Sequence, residues 1–95
     1  MTRYQSEFFN YDDVLSIPAG WIDTSWHNDI CPSFEKDFGD VTFRLWCDYV
    51  NIEKREVGGK RFIVTKYLKQ DDEFEFVGES DKLEEALNFV NKGDI

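Results

Sequence analysis

The chain has 95 residues, a formal net charge of −9 and an aromatic fraction of 17%. That length suits one domain with a single modest core, in which about 60–65% of the surface of the unfolded chain is buried. A hydrophobic fraction of 41% excludes wholesale disorder. Apolar runs are short, as in Phe62-Ile63-Val64, whereas a membrane helix needs about 20 such residues. Met1 to Glu7 lacks the apolar stretch of a secretory signal, so the expected location is the cytoplasm.

Charge is unevenly spread. Residues 1–50 hold nine acids and three bases (−6), residues 51–69 two acids and six bases (+4), and residues 70–95 nine acids and two bases (−7). A surface this acidic repels nucleic acid and anionic lipid and attracts a basic partner.

In chain order, residues 1–20 read as an arm or short helix. Asn10 is placed to cap a helix with Asp12 and Asp13 in its first turn, and Pro18 and Gly20 end it. The Phe8-Phe9-x-Tyr11 cluster is expected to tuck against the core. Trp21 to Trp26 and Ser33 to Phe38 are short strand candidates, and Gly39-Asp40 is a turn into the next strand. From Val41 to Tyr49, apolar Val41, Phe43, Leu45 and Cys47 alternate with Thr42, Arg44, Trp46 and Asp48, the period of a half-buried strand. Gly58-Gly59 turns the chain into a β-branched and aromatic strand, Lys60 to Leu68. Gln70-Asp71-Asp72 is a second turn, and Glu73 to Val77 alternates again with Phe74 and Phe76 on one side. Helical spacing of Leu83, Ala86, Leu87 and Val90 predicts a helix over 80–92, with Ser80 and Asp81 as caps, an Asp81–Glu84 capping box and Gly93 as the stop.

The predicted fold is therefore α+β in a single domain over 1–95. An antiparallel four- to five-stranded sheet over 21–79 carries the C-terminal helix on one face. The expected core is Phe34, Phe43, Leu45, Phe62, Val64, Phe74 and Phe76 against Leu83, Leu87 and Val90. The other face, with Arg44, Trp46, Asp48, Thr65 and Tyr67, is either wet or covered by the N-terminal segment.

The segment Trp21 to Phe34 concentrates reactive residue types: Trp21, Asp23, Ser25, Trp26, His27, Asp29 and Cys31. His27 and Cys31 are four residues apart, but Pro32 argues against a helix through them, and zinc needs four ligands. No metal site or cofactor is expected. A Cys31–His27 nucleophile has the right parts without a surrounding signature, and Cys31 and Cys47 read as reduced, buried thiols. The carboxylate pairs Asp12-Asp13, Asp71-Asp72 and Glu84-Glu85 read as solvated charge. The bases Lys54, Arg55, Lys60, Arg61, Lys66 and Lys69 are expected to pair with carboxylates of neighbouring strands rather than to bind nucleic acid.

Aromatic and acidic residues remain. Trp21, Trp26, Trp46 and Tyr67 with Asp23, Asp29, Asp48, Asp71, Asp72 and Glu73 suit an interface that anchors through aromatics and steers a basic partner through carboxylates. The function this implies is a non-catalytic binding protein of the inhibitor, immunity or phage anti-defence type. It needs no membrane, and it has an edge through which a homodimer can form. The alternative is a small-molecule or regulatory ligand pocket lined by Trp21, Trp26, His27 and Cys31.

Overall fold

The computed structural model describes residues 2–55 and 59–93, with only the backbone of residues 92 and 93. Its elements are α1 (Arg3–Glu7), β1 (Ile22–Asp23), β2 (Ser33–Asp37), β3 (Val41–Cys47), a 3-10 turn (Ile52–Lys54), β4 (Phe62–Leu68), β5 (Glu73–Ser80) and α2 (Leu83–Gly93). The strands form one antiparallel meander in the order β1-β2-β3-β4-β5. The α+β architecture and the C-terminal helix are as the sequence predicts. The expected role of Gly58 lies outside the described residues.

Alternation sets the two faces of the sheet. Phe34 pairs with Leu45, Leu45 with Val64, and Cys47 with Phe62, so these side chains share the face beneath α2. Phe43, Leu45, Cys47, Phe62 and Val64 are buried there with Ala86 and Val90 of the helix. Each large aliphatic or aromatic side chain so buried contributes about 1.5–3 kcal/mol.

Phe74 and Phe76 do not join this core. The β4–β5 register runs from Val64 opposite Gly78 to Thr65 opposite Phe76, leaving Val77 as an extra residue on β5. A bulge of this kind sets two residues against one and reverses the inward–outward phase beyond it. Phe76 and Phe74 therefore sit with Thr65 and Tyr67 on the face away from the helix, 63% and 71% exposed. Val77 packs against the core instead.

Gly78 lies where the helix approaches the sheet. A Cβ there would meet Cδ2 of Phe89 at 2.8 Å. We expect Gly78→Ala to destabilise the fold by about 1–3 kcal/mol, the usual range for overpacking. The effect is read as a lower urea midpoint at unchanged slope, and an unchanged midpoint would show that Phe89 swings aside freely.

The helix begins later than its sequence signals suggest. Ala86 N–H donates to the Lys82 carbonyl at 3.1 Å, and the Ser80 hydroxyl accepts from Lys82 N at 3.0 Å. Asp81 forms no capping box with Glu84. Its carboxylate accepts instead from Arg61 N at 3.0 Å and Lys60 Nζ at 3.4 Å, tying the helix start to β4.

The N-terminal helix is also displaced from its expected place. It occupies Arg3–Glu7, where Gln5 Oε1 accepts from both the amide and the hydroxyl of Thr2 at 3.0 Å. Asn10 caps nothing helical, because the two acids after it are engaged elsewhere. Asp12 accepts from Val50 N and Asn51 N at 3.0 Å, and Asp13 accepts from Arg61 at 2.7 Å. Leu15 N donates to the Tyr4 hydroxyl at 3.0 Å, which completes an extended strap over the helix side of the sheet. Phe8 is buried and Tyr11 packs on the core, but Phe9 is 84% exposed and does not tuck in.

Candidate functional site

Because the strap and α2 both lie on the helix side, the opposite sheet face is left open except at one end, where residues 28–31 of the β1–β2 loop lie beside Trp46 and Ile63. Two adjoining clefts on that face share Thr65. One, of 410 Å³, is lined by Glu35, Asp37, Thr42, Arg44, Thr65, Tyr67, Lys69 and Phe74. The other, of 360 Å³ and mostly apolar, is lined by Asn28, Asp29, Ile30, Cys31, Trp46, Asp48, Ile63 and Thr65.

An aromatic platform stands at the far end of this face. The Tyr67 and Phe74 rings lie 4.8 Å apart, and Phe76 follows on the same face of β5. Around it stand the acids of the two turns, Asp37 and Asp40 from β2–β3 and Asp71, Asp72 and Glu73 from β4–β5, with Lys69 among them. Lys69 N donates to the Asp40 carbonyl at 3.1 Å, which brings the two turns together. Lys69 Nζ bonds both oxygens of Asp37 at 2.9 and 3.0 Å and holds that carboxyl below the usual range. Asp72 adopts a left-handed conformation (φ 53°) and accepts the Tyr67 hydroxyl at 2.6 Å, which raises the Tyr67 pKa. The bond fixes the ring at the platform edge.

Toward the other end, Arg44 Nε donates to Glu35 at 2.9 Å while its guanidinium lies 5.2 Å from the Trp46 ring centroid. The middle of the face is therefore an internally paired Glu35–Arg44–Trp46 row, and its free charge is concentrated at the acidic turns.

The residues predicted as partner contacts divide into three groups. Asp29, Trp46 and Asp48 meet around the apolar cleft, with Asp48 itself buried. Asp71, Asp72 and Glu73 border the aromatic platform. Trp21, Asp23 and Trp26 lie elsewhere. Trp21 lines a cleft on the helix side with Lys36, Leu83 and Leu87. Asp23 is framework, accepting from Tyr4 N at 2.7 Å and Ser25 N at 3.0 Å. Trp26 is 46% exposed and stacks on His27 at 4.2 Å.

The alternative pocket of Trp21, Trp26, His27 and Cys31 is therefore not one cavity, since Trp21 and Cys31 line clefts on opposite faces. His27 turns to α1, where its Nδ1 lies 3.1 Å from Glu7 Oε1, and this bond lowers the Glu7 pKa. Cys31 is buried, and desolvation, with Asp48 and Asp29 adding to it, pushes its thiol up to about 12. An activated nucleophile requires the opposite shift. Among the described residues, no cluster of three or more His, Cys, Asp or Glu side chains is arranged to hold a metal ion.

No family model, curated protein or solved structure matches this chain. No described helix is long and apolar enough to cross a membrane. The site is thus read from its own chemistry. Sequence reasoning assigns Phe74 and Phe76 to the core, and the structure sets them instead beside Tyr67 on the open face. The bulge at Val77 is what exposes the two phenylalanines.

Five of the six bases of the basic stretch meet carboxylates, and Lys54 lies over the Tyr49 ring. Arg61 meets Asp13 at 2.7 Å, Lys69 Asp37 at 2.9 Å, Lys60 Asp81 at 3.4 Å, Lys66 Glu75 at 3.4 Å and Arg55 Asp81 at 3.8 Å. These contacts give the fold an acid-sensitive side. Lys69 lowers the Asp37 pKa, and the Arg61 amide lowers that of Asp81. At Asp12, burial is the largest influence and opposes ionisation, but the amides of Asn51, Val50 and Asp12 itself outweigh it and lower the pKa. A carboxylate whose folded pKa lies below its unfolded value of about 4 stabilises the fold above that pH and loses the contribution as pH falls. Urea midpoints are therefore expected to hold from neutral pH to about pH 5 and to fall steadily below about pH 4. A flat profile to pH 3 would show that these contacts carry no stability.

Proposed function

We propose that this protein is a non-catalytic binding module that seats the uncovered sheet face on a basic surface of a protein partner, in the manner of an inhibitor, immunity or phage anti-defence protein. One observation carries the reading. Phe74 and Phe76, 71% and 63% exposed, stand beside Tyr67 at the acidic turns. Large exposed apolar groups gathered on one face mark interaction surfaces. Aromatic anchors supply affinity, and a bordering field of carboxylates supplies encounter rate and discrimination. The buried free thiols Cys31 and Cys47 suit a reducing cytoplasm.

The test is capture of partners from a lysate across a salt series, with parallel captures by Phe74→Ser/Phe76→Ser and by the charge-reversed Asp71→Lys/Asp72→Lys. The reading requires one dominant basic protein, lost progressively as salt rises and absent from both variant captures. Retention by either variant, or indifference to salt, would rule out this face or its electrostatics.

A second reading has its own observation, the 360 Å³ apolar cleft where Ile30, Trp46 and Ile63 converge. A small apolar ligand seated there would change Trp46 fluorescence and raise the melting temperature. A Trp46→Phe variant that still shows the same fluorescence response would place the ligand elsewhere.

A further inference from the structure

The uncovered face ends at a strand edge. β5 is the last strand of the sheet and runs eight residues, whereas the opposite edge strand, β1, has two. Among the described residues the backbone of Glu73 to Val77 bonds to no element other than β4. Its outward amides and carbonyls are thus a ready template for another strand. Proteins commonly blunt such an edge with charged residues, proline, a bulge or a covering element. Here Glu73–Ser80 contains no lysine or proline, the bulge at Val77 and the helix at Gly78 lie past Phe76, and the charges along Glu73 to Phe76 are the two glutamates, which repel an acidic strand and admit a basic one.

The edge is also patterned. Glu73 and Glu75 point to the helix side, opposite Leu68 and Lys66, and Phe74 and Phe76 point to the open side, opposite Tyr67 and Thr65. We infer that β5 accepts a strand from the partner by antiparallel or parallel addition along Glu73 to Phe76, and that this strand alternates basic with apolar residues. The bases lie beside Glu73 and Glu75 and the apolar side chains beside Phe74 and Phe76. Main-chain hydrogen bonds give the pairing, and alternate side chains give its selectivity.

A second copy of this chain is the poorer occupant. Antiparallel self-pairing centred on Phe74 sets Glu73 against Glu75, and pairing centred on Glu75 sets that residue against itself. Like charges directly opposite one another destabilise a strand pair. Lys66 already contacts Glu75 at 3.4 Å from within the sheet, but among the described residues no base contacts Glu73, and the Glu75 side chain is still 47% exposed.

This inference rests on the docking reading and adds its mode. The test uses the full chain, 15N-labelled, titrated with a short capped peptide that alternates lysine with valine. A second and a third peptide carry N-methyl groups along one edge and along the other, and a fourth has glutamate in place of lysine. Strand addition requires slowed amide exchange confined to Glu73–Val77, affinity weakened roughly tenfold or more by methylation of one edge but not the other, and no binding of the glutamate peptide. Binding indifferent to methylation, with shifts at Thr65 and Tyr67 alone, would overturn strand addition and leave face docking standing. No binding of the lysine peptide would overturn it too, while the lysate capture decides the docking reading separately. Dimerisation of the protein alone through the same amides would replace the basic strand with a second copy.

Discussion

The double variant Phe74→Ser/Phe76→Ser is expected to fold as well as the parent and to lose its partner. The two placements of these residues differ sharply in consequence. Had both rings stood in the core, each truncation would cost about 3–5 kcal/mol, enough together to unfold most domains of this size. At 71% and 63% exposure, each change falls within about 0.5 kcal/mol and can even favour solubility. Binding moves the other way. An anchor at the centre of an interface is worth about 2 kcal/mol or more, roughly 30-fold in affinity, and two adjacent anchors lose somewhat less than the product because they share a pocket. Urea unfolding and calorimetric titration with the captured partner read the two effects on the same preparation. A loss of several kcal/mol in stability would return both rings to the core and remove the bulge at Val77. Unchanged affinity on an intact fold would move the interface away from β5.

This pair of residues also marks what the sequence carries and what it hides. Alternation along Val41 to Cys47 and Phe62 to Leu68 placed the inner residues correctly, because β3 and β4 pair in unbroken register from Val41 opposite Leu68 to Cys47 opposite Phe62. The helix was readable for a similar reason. Leu83, Ala86, Leu87 and Val90 form one stripe whatever they pack against. Alternation in β5 has the same period, but its phase depends on whether a residue is inserted between Phe76 and Gly78, and the one local mark of that insertion is Gly78 itself, since a glycine inside a strand often accompanies a bulge. The strap failed for a different reason. Asp12 and Asp13 have the local chemistry of a helix start, yet they bond groups 38 to 48 positions away, which no local pattern encodes.

The segment Trp21 to Phe34 was overread. Its density of polar and aromatic types marks architecture rather than one site. Ser25 and Ser33 are fully buried, with Ser33 N donating to Ser25 Oγ at 3.2 Å and Thr24 N to the Ser33 carbonyl at 2.9 Å. That packing fixes the loop between β1 and β2 and sends Trp21 and Cys31 to opposite faces. Asp71, Asp72 and Glu73 are legible as exposed because a turn must be exposed. The exposure of Phe74 and Phe76 beside them is not, because it depends on the bulge.

Arg61→Met is expected to cost about 2–4 kcal/mol, since it releases the strap that seals the helix side of the core. The Arg61 side chain is 13% exposed and makes three contacts that no other residue replaces. Its Nε donates to the Asp48 carbonyl at 3.0 Å, and its Nη2 donates to the Tyr11 hydroxyl at 3.1 Å and to Asp13 at 2.7 Å. Burial works against its charge, but Asp13 and Tyr11 outweigh that and raise its pKa above the ordinary arginine value. Tyr11 in turn shares its hydroxyl hydrogen between the carbonyls of Cys47 and Asp48, both at 3.0 Å, so losing the guanidinium loosens the strap where it crosses the end of β3. Lysine is a poor substitute, because a single ammonium cannot reproduce the planar fork that meets a carbonyl, a phenol and a carboxylate together. Asp13→Asn is the milder control, costing about 1 kcal/mol or less, because its carboxylate is 40% exposed and an exposed pair is screened by water. A cycle combining Arg61→Met with Tyr11→Phe should show a coupling above about 0.5 kcal/mol, since the two groups are bonded. High pH tests the same lock from the other partner. Burial pushes the Tyr11 pKa far above its unfolded value of about 10, so its contribution is complete below that pH and is lost as pH rises beyond it. If Arg61→Met lowers the unfolding free energy by less than about 0.5 kcal/mol, the strap is held by packing of Tyr4 and Tyr11 alone, and the guanidinium is only a surface partner of Asp13.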